Sequence, residues 1–198
     1  MDRGRRDIRT VVRRLPQTEA AIVFAEQVHT GQVRRVDGAP FILHPLEVAT
    51  LLYQVGASDD VVAAGVLHDV LEKTDADEAE LTRHFGREVT ALVLAVSEDE
   101  RIRGYARRKA ALRNQVAAAG YHAMMVFAAD KISKVRELSL EPSATPRRRS
   151  PKSRERHLAH YQSCLGMLEA QMPHSPLVSQ LAAELAGLPA GAPPALAV

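Results

Sequence analysis

The sequence has little of what secreted and membrane proteins depend on. Cys164 is the only cysteine among 198 residues, so no disulfide can form within the chain, and a reducing cytoplasm is the expected compartment. The basic N-terminus is not followed by the apolar run of a secretory signal. No stretch reaches the roughly 20 apolar residues that cross a bilayer. We therefore expect a cytoplasmic protein with no membrane partner.

Aromatic residues and net charge are also scarce. Tryptophan is absent, and phenylalanine and tyrosine number four each, so alanine, leucine and valine must fill the core, which favours helices. The formal charge of +2 is too small to indicate a nucleic-acid-binding protein. The arginine-rich stretch at 147–156 has no interleaved aromatic residues on which bases could stack. We therefore expect no nucleic-acid partner.

Composition and periodicity divide the chain into five segments. No strand pattern is convincing, so the predicted fold class is all-α, a helical bundle with a C-terminal helical extension. Thr18 is the predicted N-cap of the first helix. The segments are a basic arm at 1–17, a helical domain at 18–140, a Pro/Ser/Arg-rich linker at 141–153, C-terminal helices at 154–188 and a disordered tail at 189–198.

Two apolar runs end in charged side chains that are costly to bury. One run ends in the pair His68 and Asp69, and another ends in Asp130. An aspartate is rarely buried unless it is paired or binds a metal. A hydrogen bond within the His-Asp pair is the plainer alternative. Glu72 follows His68 by four residues, on the same face of a continuous helix. It is therefore placed to orient a water or accept its proton.

A second histidine, His44, precedes Pro45 at a predicted helix start. Two imidazoles and two carboxylates would suit a divalent ion such as Mn²⁺, Fe²⁺ or Zn²⁺. The pattern alone does not show that His44 and Asp130 meet the His-Asp pair.

Four stretches resemble the hydrolase domain of the RelA/SpoT family, within the wider group of HD-domain phosphohydrolases. The resemblance covers about residues 18–140 and is especially close to the small stand-alone alarmone hydrolases. The stretches are AEQVHTGQVRRVDGAPFILHPLEVATLL, AAGVLHDVLEKT, LTRHFGREVTALVLAVS and VFAADKISKVREL. The resemblance implies an all-helical HD domain that degrades the guanosine tetraphosphate of the stringent response. Its implied partner is thus a guanine nucleotide substrate; a homo-oligomer is left open.

The resemblance also implies a site. One divalent ion, usually Mn²⁺, would be held by His44, His68, Asp69 and Asp130. A metal-activated water would remove the 3′-pyrophosphate of guanosine tetra- or pentaphosphate. Arg34 and Arg35 match basic residues that contact the nucleotide in the family, and a guanidinium can stack on a base and bind phosphate. A solvated loop is the alternative interpretation of these two arginines.

Two departures from the family pattern fall around the attacking water. Lys73 stands where the family has an aspartate after Glu72, and Lys134 stands where it has an asparagine. The spacing of four pairs Asp69 with Lys73 and Asp130 with Lys134. The lysines would then hold substrate phosphates, compete with the metal, or extend into solvent. The second case would make the protein a degenerate member that binds a nucleotide or partner with little turnover. An HD hydrolase of another nucleotide is a third hypothesis.

Overall fold

The computed structural model describes residues 8–10, 12–140 and 150–188. In this part of the chain every regular element is helical, apart from one isolated antiparallel bridge between Val33 and Pro40. The all-α prediction is therefore confirmed. Two 3₁₀ turns, Ile8–Thr10 and Val12–Arg14, precede α1 (Pro16–Val28), α2 (Leu43–Gln54), α3 (Asp59–Leu67), α4 (Val70–Lys73), α5 (Glu78–Val96), α6 (Tyr105–Ala119), α7 (Tyr121–Ser139), α8 (Pro151–Gln171) and α9 (Pro176–Ala186).

Helix α3 lies at the centre of the bundle. All residues from 61 to 67 are buried, and the helix packs against α1, α2, α5 and α7. Gly65 lets α2 come close, because a Cβ at this position would overlap Leu52 Cδ1 and would lie 3.4 Å from Val48 Cγ1. This close packing brings the first turn of α2 near the end of α3, where the candidate site lies.

The predicted N-cap at Thr18 is wrong. Helix α1 begins at Pro16, a favoured residue at the first helical position. Its free amides are satisfied by Asp59 of α3: Gln17 N and Thr18 N each donate to its carboxylate at 2.9 Å, and Thr18 Oγ1 donates at 2.7 Å. A carboxylate at a helix N-terminus is electrostatically favourable. The cap comes from a distant residue, which local sequence patterns do not reveal.

The terminal segments only partly follow the predicted boundaries. Residues 1–7 of the arm, most of the linker and the tail from 189 lie outside the described residues. Where the arm is described, Ile8 is fully buried, and its backbone N–H lies 3.3 Å from Thr50 Oγ1. Helix α8 begins at Pro151 rather than at 154, and both α8 and α9 pack against α7. None of the described helices is long and apolar enough to cross a membrane.

Candidate metal centre

The four predicted metal ligands come from three places in the bundle. His44 lies in the first turn of α2, and Asp130 lies in the middle of α7. His68 and Asp69 form the break between α3, which ends at Leu67, and α4. Both residues have right-handed helical φ and ψ, and their two side chains nevertheless approach each other. All four side chains are buried.

The structure brings these four side chains together. His44 Nε2 lies 3.1 Å from His68 Nε2 and 3.2 Å from Asp130 Oδ1. Asp69 Oδ2 lies 3.5 Å from both imidazole Nε2 atoms, and His68 Nε2 lies 3.5 Å from Asp130 Oδ1. The two Nε2 atoms and an oxygen of Asp130 therefore form one compact group that could hold a metal ion, and Asp69 Oδ2 lies beside the two nitrogens.

Hydrogen bonds on the far side of each ring set which nitrogen faces that point. His68 Nδ1 donates to the carbonyl of Gly65 at 2.8 Å. His44 Nδ1 lies 2.8 Å from Ser133 Oγ, whose own proton goes to Glu47 Oε2 at 2.7 Å. Ser133 must then accept a proton from His44 Nδ1. When a ring is neutral, its Nε2 lone pair is therefore directed at the other candidate ligand atoms.

This arrangement favours a cation at its centre. Asp69 Oδ2 and Asp130 Oδ1 are buried without a hydrogen-bond partner, which is costly unless a cation is bound. Burial opposes charge on His68, but Asp69 and Asp130 outweigh it and raise the pKa of that imidazole. Burial, and then Lys134, lower the pKa of His44 to about 4, so His44 stays a neutral ligand. The donor set fits a divalent ion.

Both unexpected lysines contact the same carboxylate. Lys73 Nζ lies 3.7 Å from Asp69 Oδ1, and Lys134 Nζ lies 3.7 Å from Asp69 Oδ2. Burial raises the pKa of Asp69, but Lys134, His68 and Lys73 together hold it well below its usual value. The predicted pairing of Lys134 with Asp130 is wrong. Asp130 is instead paired with Lys131 at 2.5 Å.

Glu72 lies beside the centre, and one of its two carboxylate oxygens already accepts a hydrogen bond from another part of the chain. Its Oε1 accepts a hydrogen bond from the backbone N–H of Glu98 at 2.7 Å, in the loop after α5. Burial raises the pKa of Glu72, and the nearby charge of Asp69 adds to that rise. Oε2 is therefore the oxygen that would orient a water or accept its proton.

The loop that carries Arg34 and Arg35 borders the site. Its Phe41 ring lies 5.9 Å from the His44 ring, and Lys73 Nζ lies 5.6 Å from its centroid. Arg34 forms an ion pair with Asp37, so binding a nucleotide would have to compete with that carboxylate. Arg35 is exposed.

Sequence reasoning overlooked the residues that orient the two histidines. Ser133 is completely buried in a stretch of α7 that also holds Asp130, Lys131 and Lys134, so its polarity alone did not mark it. Glu47 lies one turn after His44 in α2, and its link to Ser133 spans 86 positions of sequence. Gly65 acts through its carbonyl, which no side-chain pattern reveals.

An HD domain family model matches residues 21–158, and the chain belongs to the HD domain family. A probable guanosine-3′,5′-bis(diphosphate) 3′-pyrophosphohydrolase of Mycoplasma pneumoniae is 40% identical over 78 residues, which are 39% of this chain and 10% of that protein. A GTP pyrophosphokinase of Streptomyces coelicolor is 35% identical over 127 residues, 63% of this chain and 15% of that protein. The match thus spans a small part of the curated relatives.

Solved structures agree with the fold. A metazoan ortholog of SpoT, described as hydrolysing ppGpp, superposes with a TM-score of 0.76 at 24% identity, over 87% of this chain and 96% of that one. A Listeria monocytogenes protein superposes with a TM-score of 0.64 at 25% identity, over 75% of this chain and 94% of that one. The HD-domain bundle predicted from the sequence is therefore confirmed.

Proposed function

We propose that this protein is a metal-dependent hydrolase that removes the 3′-pyrophosphate of guanosine tetra- or pentaphosphate. The observation that carries the proposal is the convergence of two Nε2 lone pairs and two unpartnered carboxylate oxygens in one buried centre. His44, His68, Asp69 and Asp130 would hold one divalent ion, which we propose to be Mn²⁺. The similarity to named 3′-pyrophosphohydrolases supports the choice of substrate.

When bound, the ion supplies Lewis acidity, lowering the pKa of a bound water toward neutrality. In the proposed reaction the water oxygen forms a bond to the 3′-linked phosphorus. The bond from that phosphorus to the 3′ oxygen breaks, leaving GDP and pyrophosphate from guanosine tetraphosphate. Glu72 would orient the water or accept its proton through Oε2.

Cationic side chains around the centre would hold the phosphates. Lys73 and Lys134 are partly exposed, at 34% and 25% of their side-chain surface, so their ammonium groups can turn from Asp69 to a ligand as point charges. Arg35, with Arg34 after release from Asp37, would contact the nucleotide.

The single cysteine and a nucleotide substrate support a cytoplasmic location.

The test is a metal-reconstitution assay on the full chain. Metal-stripped protein with added Mn²⁺ should convert guanosine tetraphosphate to GDP and pyrophosphate, resolved by anion-exchange chromatography. His68→Ala should abolish turnover, whereas His174→Ala, which changes an exposed histidine between α8 and α9, should not. Absence of manganese-dependent product from any 3′-pyrophosphorylated nucleotide would remove the proposal.

A second function is favoured by the two lysines on Asp69. If their charges exclude the metal, the protein would bind the nucleotide with little turnover. Calorimetry would then detect nucleotide binding without product, and the double variant Lys73→Asp with Lys134→Asn should restore hydrolysis. If the lysines bind substrate, the same variant should lose activity instead. A panel of other phosphorylated nucleotides, deoxynucleotides included, tests the third hypothesis of a different substrate.

A further inference from the structure

A chain of hydrogen bonds runs from the metal centre to the C-terminal helix. It starts at His44 Nδ1, 2.8 Å from Ser133 Oγ, which donates to Glu47 Oε2 at 2.7 Å. Arg136 Nη1 donates to Glu47 Oε1 at 2.8 Å, and Arg136 Nε donates to Glu184 Oε1 at 2.6 Å. The chain therefore links α2, α7 and α9 through five side chains.

The donor and acceptor groups of these five side chains fix which group donates in each hydrogen bond. Arginine can only donate hydrogen bonds, and an ionised glutamate can only accept them. Arg136 therefore fixes Glu47 as an acceptor on both oxygens, and the single proton of Ser133 must go to Glu47. The hydroxyl oxygen then accepts from His44 Nδ1. If Glu47 were absent, the hydroxyl could rotate and donate to Nδ1, which would move the imidazole proton to Nε2.

Burial and charge make this preference strong. Ser133 and His44 are fully buried, so neither can exchange its partner for water. Glu47, Arg136 and Glu184 are about one third exposed and bear charges, which strengthens their hydrogen bonds. Glu137 is a further acidic group on the Nδ1 side of the ring, but its Oε1 lies 3.6 Å from Nδ1, beyond hydrogen-bond distance.

We propose that Ser133, Glu47, Arg136 and Glu184 are positioning residues that hold His44 as the Nδ1–H tautomer with Nε2 directed at the cation. Helix α9 would then help to orient a metal ligand, through the contact of its Glu184 with Arg136. This inference rests on the proposed metal-dependent function only where it explains why the tautomer of His44 matters. The tautomer itself is a property of the metal-free protein.

The first test reads the tautomer without metal or nucleotide. Protein labelled with ¹⁵N-histidine is stripped of metal, and His44 is observed by long-range ¹H–¹⁵N correlation at pH 7. Its pKa, lowered by burial and by Lys134 to about 4, keeps it neutral there. Wild type should show Nδ1–H only, and Glu47→Ala should introduce the Nε2–H form. Glu47→Gln keeps the shape of the side chain, but its amide oxygen must accept from Arg136, so its NH₂ faces Ser133. This variant should therefore also shift the imidazole proton toward Nε2.

The second test measures the affinity for Mn²⁺ by electron paramagnetic resonance of the free ion. Ser133→Ala and Glu47→Ala should each weaken binding by about 10- to 100-fold, the usual effect of removing a group that orients a metal-binding histidine. Glu184→Ala should have a smaller effect, because Arg136 still holds Glu47. Ser139→Ala is the matched control, since it removes an exposed hydroxyl from the same helix that donates only to the carbonyl of Arg136.

The outcomes separate the two proposals. If wild-type His44 carries its proton on Nε2, or if Glu47→Ala leaves the tautomer unchanged, the positioning role is overturned even if the protein hydrolyses the nucleotide. If the tautomer shifts as expected but no turnover occurs, the positioning role stands and the proposed function fails. Variants are compared only where their circular dichroism and urea midpoint match wild type. Glu47→Gln, which changes least, keeps the test decisive should the alanine variants unfold.

Discussion

The replacement of Lys134 by asparagine should increase the affinity of the centre for a divalent cation. Lys134 Nζ lies 3.7 Å from Asp69 Oδ2, one of the two buried carboxylate oxygens without a hydrogen-bond partner. The ammonium group and a metal ion would therefore compete for the same oxygen. Asparagine removes the charge and leaves a neutral polar group in its place.

The magnitude follows from the distance. A cation bonded to Asp69 Oδ2 at about 2.2 Å would lie within about 6 Å of Nζ. A dication and a unit charge at about 6 Å repel by about 5.5 kcal/mol at an effective dielectric of 20 and by about 1.4 kcal/mol in bulk water. The Lys134 side chain is one quarter exposed and can swing away, so the lower value is the safer guide. We expect at least about a tenfold gain in Mn²⁺ affinity.

The assay is a titration of metal-stripped protein with Mn²⁺, with the free ion followed by electron paramagnetic resonance. Lys134→Met is a useful companion, because it removes the charge with little loss of length. Lys152→Asn serves as the control, since it makes the same change at an exposed position in α8. An affinity within twofold of wild type in both Lys134 variants would refute the electrostatic reasoning.

Three further predictions test the bundle and the centre. Asp59→Ala should lower the free energy of urea unfolding by about 1–2 kcal/mol, because it removes the cap of α1, whereas the neighbouring Asp60→Ala should cost less. Gly65→Ala should cost about 1–3 kcal/mol in the same assay, because the new methyl overlaps Leu52; an unchanged midpoint would mean that α2 and α3 can separate without cost. Mn²⁺ affinity should fall as the pH is lowered through the raised pKa of His68, because protons then compete for its Nε2. The pKa of His44 is about 4, so His44 should add no further step above that pH. A pH-independent affinity between pH 6 and pH 8 would contradict this assignment.

The helices and the candidate ligand residues were accessible from the sequence. Long apolar runs that end in Asp69 and Asp130 predict burial of a carboxylate, and burial predicts a compensating cation. The resemblance to a known hydrolase domain then placed His44 in the same set. Local patterns and one family comparison were enough for this step, because each ligand sits at a position that its own helix marks as unusual.

The contacts between helices could not be predicted in the same way. The spacing of four paired Lys134 with Asp130, yet the ammonium group lies on Asp69 from another element. The cap at α1 comes from Asp59, 41 positions away. Each of these depends on how the helices pack, which periodicity within one helix does not encode.

The charge around the centre predicts a coupling between metal and substrate. Asp69 and Asp130 supply two negative charges, and three ammonium groups lie within 3.7 Å of their oxygens: Lys73, Lys131 and Lys134. A dication therefore enters a site whose carboxylates are already compensated, and we expect its affinity to be modest when it binds alone. Pyrophosphate groups on a nucleotide would attract the partly exposed Lys73 and Lys134 and release Asp69 for the metal.

Metal and nucleotide should therefore bind cooperatively, and by linkage each should raise the affinity for the other by the same factor. Mn²⁺ titrations with and without GDP 3′-diphosphate would measure that factor, if hydrolysis is prevented by Glu72→Gln. Mn²⁺ also binds directly to free polyphosphates, so the titration must be corrected with the nucleotide alone. The cooperativity should shrink in the double variant Lys73→Asp with Lys134→Asn, because the cations that move between carboxylate and phosphate are gone. Equal Mn²⁺ affinities with and without nucleotide in the Glu72→Gln protein that keeps both lysines would show that the lysines do not exchange partners.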